Sequence, residues 1–403
     1  MTTKWTRETS LAFMPYRETK VESALSGPLA GLTFTVKDMF DVKGYPTSAG
    51  SPTMLAISGI KNETAPAVKA LLNAGAVFAG KVVTDELAFS VIGDNIHFGS
   101  PINGAAPDRY AGGSSSGSAS SVSCGLCDFS LGTDSGGSVR GPASQCGLFG
   151  IRPSFGRISL EGCAGLCPPY DTAGILAKDF DVFEKSTRVL IGNDPIETKN
   201  TTQILIPDDI YELFGEKVIS EIDSAIFVAE QLWGKAEHVK AAPFKLNVIL
   251  KTYQRLQGRE VWKHYGSFIE KYRPSFGPGV KERFEFSHQM SLLDLTEEEE
   301  IAQETVSHLN SLLTNGKMLL LPTLPGCGLK RNATAEEMNT FRSKMSASFC
   351  LGGLAALPWI TLPLAQFDHA PMGVSLVGRF NSDAWLLSQS KILFNAYTHQ
   401  LNN

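Results

Sequence analysis

The sequence has no excess of basic residues, and this absence argues against one large class of function. Its 403 residues contain 36 Lys and Arg against 41 Asp and Glu, a formal net charge of −5. A protein dedicated to nucleic-acid binding needs a basic excess to neutralise phosphate charge. We therefore expect no nucleic-acid partner. Hydrophobic residues at 43% and charged residues at 19% are ordinary for a globular chain and exclude a largely disordered protein.

Cysteine is scarce, and long uninterrupted apolar runs are missing. Seven cysteines are too few for a disulfide scaffold, and the odd number leaves at least one thiol unpaired. The longest apolar stretch, 349–365, is interrupted by Gly352, Gly353, Pro358 and Pro363, so it predicts a buried helix followed by a buried strand. The first residues have neither the apolar core nor the cleavage site of a secretory signal. We expect a cytoplasmic protein with no membrane association.

Glycine and serine are concentrated in residues 99–150, and the flanking segments indicate what that stretch is. Residues 32–36 alternate as a half-buried strand, and residues 77–79 are typical of another strand. Between them, Thr64 is predicted to cap a helix that Gly75 ends. Strands and helices on both sides of the stretch indicate an α/β domain that contains it. A set of tight turns is therefore favoured over a flexible linker.

The second half of the chain changes character. Charged segments with helical periodicity run from about residue 182 to residue 315, and Thr296 with Glu299 predicts a capping box at a helix start. A further helix is predicted over 383–396, after three segments that predict buried strands: 318–321, 359–362 and 374–377. The pattern predicts a single sheet built from both ends of the chain, with a helical insertion between them.

Two serine-containing motifs are candidates for catalysis. Residues 113–117 match the G-x-S-x-G pattern of a nucleophile elbow, but a serine-rich tract produces such a match easily. None of the seven histidines has a distinctive setting, so a Ser-His-Asp triad is possible but unsupported. In the second motif, Gly136 and Gly137 directly precede Ser138. Glycines there allow backbone N–H groups to converge as in an oxyanion hole, although a simple turn between strands is the alternative.

Lys37 directly follows the first predicted strand. A lysine at such a position usually reaches the surface. If it is buried instead, its pKa falls and the neutral amine can act as a general base. A serine hydroxyl becomes a good nucleophile when such a base takes its proton, so lysine can replace histidine in this role.

The cysteines suggest a rival interpretation. Cys124 with Cys127, and Cys163 with Cys167, have the spacing of two halves of a zinc site. However, the first pair falls where a helix is expected after the Gly/Ser stretch, and small buried residues suit helix packing. We therefore expect structural thiols, with no metal and no cofactor.

The lysine, the serine-rich loop and the Gly-Gly-Ser motif, in this order, resemble the amidase signature family. The likeness covers roughly residues 31–185 and 315–397. It implies one α/β domain with a central mixed β-sheet that helices cover on both faces. This domain would consist of a catalytic core (31–185), a variable helical insertion (186–314) and a C-terminal part of the same sheet (315–403). The matching segments are 36–38, 85–88, 93–103, 112–119, 132–140, 149–153, 170–174, 357–358, 371–374 and 383–387.

The resemblance implies a Ser–cis-Ser–Lys triad made of Ser138, Ser114 and Lys37. Ser138 would attack the amide carbonyl, Ser114 would lie in a cis-peptide setting and relay the proton, and Lys37 would be the general base. Asp134 and Arg140 would hold the loop. The backbone N–H groups expected to stabilise the oxyanion are those of Ser135, Gly136, Gly137 and Ser138.

The expected function is an amidohydrolase that cleaves a small carboxylic amide and releases ammonia or an amine. The serine-rich loop looks most like the indole-acetamide hydrolase type, which implies an aryl- or indole-acetamide-like substrate. Phe89, Phe98 and Tyr170 could line an acyl pocket, although core packing is an equal alternative for each. The alternative functions are a carbamoyl-type hydrolase of biuret or allophanate, a non-catalytic docking protein, and an A-type glutamyl-tRNA amidotransferase subunit. A homodimer is possible.

Overall fold

The computed structural model describes residues 4–196, 202–314 and 316–401. Within these residues, ten strands join in one sheet and fourteen α-helices surround it. The strands are β1 (Thr33–Lys37), β2 (Val77–Val82), β3 (Phe129–Asp134), β4 (Phe149–Arg152), β5 (Thr172–Ala177), β6 (Gln203–Pro207), β7 (Glu237–Val239), β8 (Lys317–Pro322), β9 (Trp359–Phe367) and β10 (Ala370–Val377). The helices are α1 (Arg7–Ser10), α2 (Pro52–Ser58), α3 (Pro66–Asn73), α4 (Ser116–Ser123), α5 (Arg140–Gln145), α6 (Phe180–Ile191), α7 (Asp208–Phe214), α8 (Glu216–Ser220), α9 (Asp223–Trp233), α10 (Leu246–Tyr272), α11 (Val280–Ser291), α12 (Thr296–Leu312), α13 (Ala335–Leu354) and α14 (Asp383–Leu401).

The sheet is mixed, as the resemblance implied. Its strand order is β2-β1-β3-β5-β4-β9-β10-β8-β6-β7. The three strands at each end run parallel to one another, whereas the pairs in the middle are antiparallel. Both ends of the chain therefore contribute to one sheet, and β4, from the first half, pairs directly with β9, from the second half.

Helices cover both faces of this sheet. The helices α4 and α5 contact each other; α4 contacts β1, β2, β3 and β5, and α5 contacts β4, β9 and β10. A second group, α6 and α14, contacts strands from β3 to β5 and strands β9 and β10. Every residue of β3 and of β5 is buried, as expected for strands covered on both sides. Four phenylalanine rings pack where α6 and α14 meet β4, with centroid separations of 5.0–5.8 Å: Phe149, Phe180, Phe183 and Phe394.

The predicted strands and the predicted C-terminal helix are present, but two predicted caps are wrong. Ala65, not Thr64, is the N-cap of α3, because the Thr64 hydroxyl accepts a hydrogen bond from the backbone of Lys43. The helix α12 begins at Thr296, yet the Thr296 hydroxyl donates to Asp294 instead of closing a capping box. In both cases the threonine hydroxyl forms its hydrogen bond with a residue outside the helix.

The segment 186–314 is mostly helical but also contributes to the sheet. Its strand β6 pairs in parallel with β8, and β7 pairs in parallel with β6. The segment is therefore continuous with the sheet of the rest of the chain, which the helical periodicity alone did not predict. Among the residues that the structure describes, no helix is both long enough and apolar enough to cross a membrane.

Candidate active site

Lys37 ends β1 with its side chain fully buried, so the surface position that is usual for a lysine is excluded. Its Nζ donates hydrogen bonds to Ser114 Oγ at 2.8 Å and to Thr133 Oγ1 at 2.7 Å. Burial lowers the pKa of Lys37 to about 8, and the negative charge of nearby Asp85 only partly opposes this effect. A substantial fraction of Lys37 is therefore a neutral amine slightly above neutral pH, as a general base requires.

Ser114 lies on the loop that leads into α4, and its peptide bond to Gly113 is cis. Its carbonyl accepts hydrogen bonds from the Asp85 backbone at 3.1 Å and from the Thr84 hydroxyl at 3.0 Å. A Cβ atom on Gly113 would lie 2.1 Å from Asp85 Oδ2, so no larger residue fits there. The close approach of these two segments fixes the Ser114 hydroxyl above Lys37.

Ser138 lies on the turn between β3 and α5 and is 4% exposed. Its carbonyl accepts a hydrogen bond from the Ser115 backbone at 3.3 Å, so the loops that carry the two serines are joined. Its hydroxyl has no hydrogen-bond partner among the described residues. Ser138 lines a cavity, so this hydroxyl is available to a molecule bound there.

The turn before Ser138 is held by Asp134. The Asp134 carboxylate accepts from the backbone N–H groups of Gly137 at 2.8 Å and Val139 at 3.0 Å. It also accepts from the Arg140 guanidinium at 2.8 and 3.1 Å and from Arg152 at 3.2 Å. Burial alone would raise the pKa of Asp134, but the two arginines outweigh it and hold that pKa well below its usual range.

The predicted oxyanion donors are not all free. The Gly137 N–H is already used by Asp134. The backbone N–H groups of Ser135, Gly136 and Ser138 donate to no acceptor in the described part of the chain. The Ser135 carbonyl is held by the Tyr253 hydroxyl at 3.1 Å, which fixes the turn against α10. Three N–H groups of this turn thus have no acceptor among the described residues, and two of the three residues, Gly136 and Ser138, line the cavity.

The cavity beside Ser138 has a volume of about 580 Å³, within the range of small-molecule sites. Of the three candidate pocket residues, Phe89 lines this cavity, whereas Phe98 and Tyr170 do not. The Tyr170 ring packs on Tyr253 at 5.1 Å, one layer behind the cavity wall. The rest of the wall comes mostly from α10 and α11, which belong to the insertion, and from α13.

Two further residues of the site lie in segments that the sequence analysis recognised, 85–88 and 132–140, but were given no role there. Thr133 supplies the second hydroxyl on Lys37 and lies inside the recognised 132–140 motif, so its position was a usable signal. Asp85 is fully buried beside the Ser114 loop and accepts from the Gly93 backbone at 3.0 Å. Burial raises the pKa of Asp85, while the hydrogen bond from Gly93 and the charge of Lys37 act in the opposite direction.

The cysteines are all unpaired thiols. Burial raises the pKa of Cys127 to about 11 and that of Cys163 to about 12, so these thiols are not nucleophilic at neutral pH. Among the described residues, no group of three or more His, Cys, Asp and Glu side chains is placed to hold a metal ion.

Comparison with known proteins connects this geometry with one family. The Amidase family model matches residues 8–217. Amidase 1 of Arabidopsis thaliana is 33% identical over 89% of this chain and 92% of its own length. The pea (Pisum sativum) protein named Translocon at the outer membrane of chloroplasts 64 is 31% identical over 93% of this chain and 67% of its own length.

The fold agrees with this result. A crystal structure of an amidase is 29% identical to this chain and superposes with a TM-score of 0.80, covering 93% of this chain and 85% of that one. The likeness thus extends over the whole sheet and not only the serine loops. By family match, identity and coverage, this chain is a member of the amidase family and an amide-hydrolysing enzyme.

Proposed function

We propose that this enzyme hydrolyses a small carboxylic amide through an acyl-enzyme on Ser138, with Ser114 and Lys37 moving the proton. The observation that carries the proposal is the buried contact of Lys37 Nζ with Ser114 Oγ at 2.8 Å. Buried Lys81 has a structural ion pair with Asp38 at 2.6 Å, whereas Lys37 has no carboxylate within ion-pair distance among the described residues, and a buried lysine of lowered pKa without such a pair is a candidate for chemistry. The only close polar partners of Lys37 among the described residues are two hydroxyls, of Ser114 and Thr133, which can each donate or accept.

The first half of the reaction forms the acyl-enzyme. Neutral Lys37 takes the Ser114 proton while Ser114 takes the proton of Ser138, and Ser138 Oγ adds to the amide carbonyl carbon. The oxygen of that carbonyl becomes negative and is stabilised by the three free N–H groups of the Gly-Gly-Ser turn. The proton then returns through Ser114 to the amide nitrogen, the C–N bond breaks, and ammonia or an amine leaves.

The second half restores the enzyme. A water molecule loses a proton along the same path and attacks the ester carbonyl of the acyl-enzyme. Collapse of the second tetrahedral intermediate breaks the ester bond, returns a proton to Ser138 and releases the carboxylic acid. In the free protein the Ser138 hydroxyl has no partner among the described residues, so the proposal requires the Ser138–Ser114 hydrogen bond to form in the substrate complex. Such contacts commonly tighten on binding.

The cavity supports a small organic substrate. Its size is sufficient for an amide of about drug size, and Phe89, Leu250 and Phe286 provide apolar wall. An acyl group with a ring, such as an arylacetyl group, matches such a surface. The amide group itself would lie at the end of the cavity formed by Gly136 and Ser138.

Ammonia release from purified protein tests this proposal. The panel contains indole-3-acetamide, phenylacetamide, benzamide, glutamine and biuret, and each compound is assayed with the wild type, Ser138→Ala and Ser118→Ala. Ser118 lies on α4 in the same serine-rich tract, and its hydroxyl makes only a long 3.4 Å bond to the Leu131 carbonyl among the described residues, so it is a matched control.

We expect activity in the wild type and in Ser118→Ala, and none in Ser138→Ala. Undiminished release by Ser138→Ala would contradict the proposal, and silence of the wild type on every compound would argue for a partner-dependent amidotransferase subunit or a docking protein.

A further inference from the structure

Two arginines line the substrate cavity without a carboxylate partner. Arg283 projects from α11 and Arg342 from α13, and both belong to the wall that also includes Ser138. No N–H group of the Arg283 guanidinium donates to an acceptor among the described residues, and its Nε is buried with no partner. Its one ring contact is with Phe89, whose centroid lies 5.6 Å from the Arg283 guanidinium carbon.

The two fully buried arginines of the described residues, Arg140 and Arg152, are paired with Asp134 at nitrogen–oxygen distances of 2.8 and 3.2 Å. Half-buried Arg331 has no acid partner, but its guanidinium donates to the carbonyls of Ser100 and Pro101. The guanidinium of Arg283, which is also half-buried, has neither kind of partner, and a charge removed from water is costly unless it is paired. Arg342 has one polar partner among the described residues, the side-chain oxygen of Asn339 at 2.6 Å, and that partner carries no charge.

Three acids act on the charge of Arg283, namely Asp85, Glu282 and Glu86, but none of them forms an ion pair with it among the described residues. The Glu282 carboxylate accepts from the Gly279 backbone at 2.6 Å and caps the start of α11. Glu86 accepts from the Gly277 backbone at 2.9 Å and lies 3.1 Å from a ring nitrogen of His97. Burial, and then the charge of Arg342, lower the pKa of Arg283 to about 10, so it is still cationic at neutral pH. The cavity wall therefore presents two guanidinium groups and one carboxylate, that of Glu282, and neither guanidinium forms an ion pair among the described residues.

We propose that Arg283, with Arg342 beside it, binds a carboxylate on the substrate, so that this enzyme prefers amides that carry an anionic group over neutral amides. A guanidinium presents its donors in a planar fork that matches a carboxylate in two parallel hydrogen bonds. The inference rests on the proposed function, because it assigns a substrate class to the same cavity. It implies that neutral arylacetamides are poor substrates, even though the apolar wall accommodates their rings.

The test compares two amides of nearly the same shape. Glutaramate, the monoamide of glutaric acid, carries a carboxylate where pentanamide carries a methyl group, and glutamine adds an ammonium group to the same chain. Ammonia release is measured for the wild type, for Arg283→Met, and for Lys281→Met as the matched control. Lys281 lies on the same helix, its replacement removes the same charge, and it is exposed to solvent beside Glu285.

We expect kcat/KM of the wild type to be higher for glutaramate than for pentanamide by about 10- to 100-fold, the value of a charge-assisted hydrogen bond. Arg283→Met should lose this preference through a higher KM for glutaramate, with pentanamide little affected, and Lys281→Met should keep it. A higher rate with glutamine than with glutaramate would place an amino acid amide, instead of a simple dicarboxylic monoamide, in the site. Equal efficiency of the two wild-type substrates, or an equal loss on both in Arg283→Met, would overturn the inference.

A binding measurement tests this inference independently of the proposed function. Glutaramate binding is measured by calorimetry on Ser138→Ala and on Ser138→Ala with Arg283→Met, neither of which needs turnover. An affinity for glutaramate that is lower by about 10-fold or more in the double variant than in Ser138→Ala supports the anion site, even if no amide is hydrolysed. Unchanged affinity in a double variant with a normal thermal unfolding transition rejects the site even if the protein is an active amidase.

Discussion

Lys37 Nζ and Ser114 Oγ lie 2.8 Å apart in a place that solvent does not reach. The second partner of the amine, Thr133 Oγ1, is at 2.7 Å. A hydroxyl can rotate to donate or accept, so a neutral Lys37 amine can donate to Thr133 while it accepts from Ser114. The arrangement therefore suits the uncharged form of the lysine.

The pH dependence of activity should report the titration of Lys37. The base is active when neutral, and its pKa is lowered to about 8. Therefore kcat/KM should increase as the pH rises through about 8 and should level off at higher pH. Steady-state rates of ammonia release between about pH 6 and 10 measure this profile. A profile that is flat over this interval in the wild type would show that Lys37 is not the base.

The same titration should appear in the stability of the protein. The folded-state pKa of Lys37 is below the unfolded value of 10.5, so the cost of burying its charge is fully present below about pH 8 and disappears above 10.5. A shift of this size corresponds to about 3 kcal/mol. The free energy of unfolding of the wild type, relative to Lys37→Met, should therefore increase between about pH 8 and 10.5. Denaturant unfolding at several pH values measures it; a constant difference would contradict the lowered pKa.

Ser114→Ala should remove the proton relay and leave the fold intact. We expect kcat to fall by about 10²- to 10⁴-fold, as for loss of a positioned acid–base group. Ser118→Ala, four residues further along the chain, should keep near-normal turnover. The thermal unfolding transitions of Ser114→Ala and Ser118→Ala should be similar to each other. If Ser114→Ala retains wild-type kcat while Lys37→Ala is inactive, the relay does not pass through Ser114.

Asp134→Asn should weaken both the fold and the nucleophile turn. The substitution keeps the shape but leaves the buried guanidinium groups of Arg140 and Arg152 without a countercharge, which costs about 3–5 kcal/mol. Because the pKa of Asp134 is lowered, its contribution to stability is present above the ordinary carboxyl range and is lost as the pH falls below it. Urea unfolding at neutral pH measures the cost. A loss below about 1 kcal/mol would mean that the arginines find other partners.

Gly137→Ala should inactivate the enzyme by moving the turn. Gly137 has a φ of +117°, and a Cβ atom there would lie 2.1 Å from the Phe349 ring, which itself packs on the Arg140 guanidinium at 4.2 Å. A displacement of about 1 Å at the nucleophile costs about 10²-fold in rate. Gly125→Ala is the control for positive φ in a position with open space. Normal kcat in Gly137→Ala would show that the turn tolerates the shift.

Much of the fold and the central site could be predicted from the sequence. The alternation of apolar residues located β1, and short apolar runs located β8, β9 and β10, because burial imposes such patterns on a strand. The polar motifs located Ser114, Ser138 and Asp134, since backbone that must converge on one point needs glycine and short hydroxyl side chains. The caps of α3 and α12 and the two strands inside 186–314 were missed, because partners outside the element decide a cap or a strand pairing.

The sequence by itself determined which residues could do chemistry and in what order they occur. Only the tertiary structure decided what environment they have. Whether Lys37 is a surface cation or a buried base depends on the segments that close over β1, and local sequence does not encode desolvation. Likewise, the sequence does not show that Arg283 and Arg342 lie near each other, because α11 and α13 bring them to one cavity with Ser138 only in the folded chain. There, partial loss of water makes the lack of an ion pair costly.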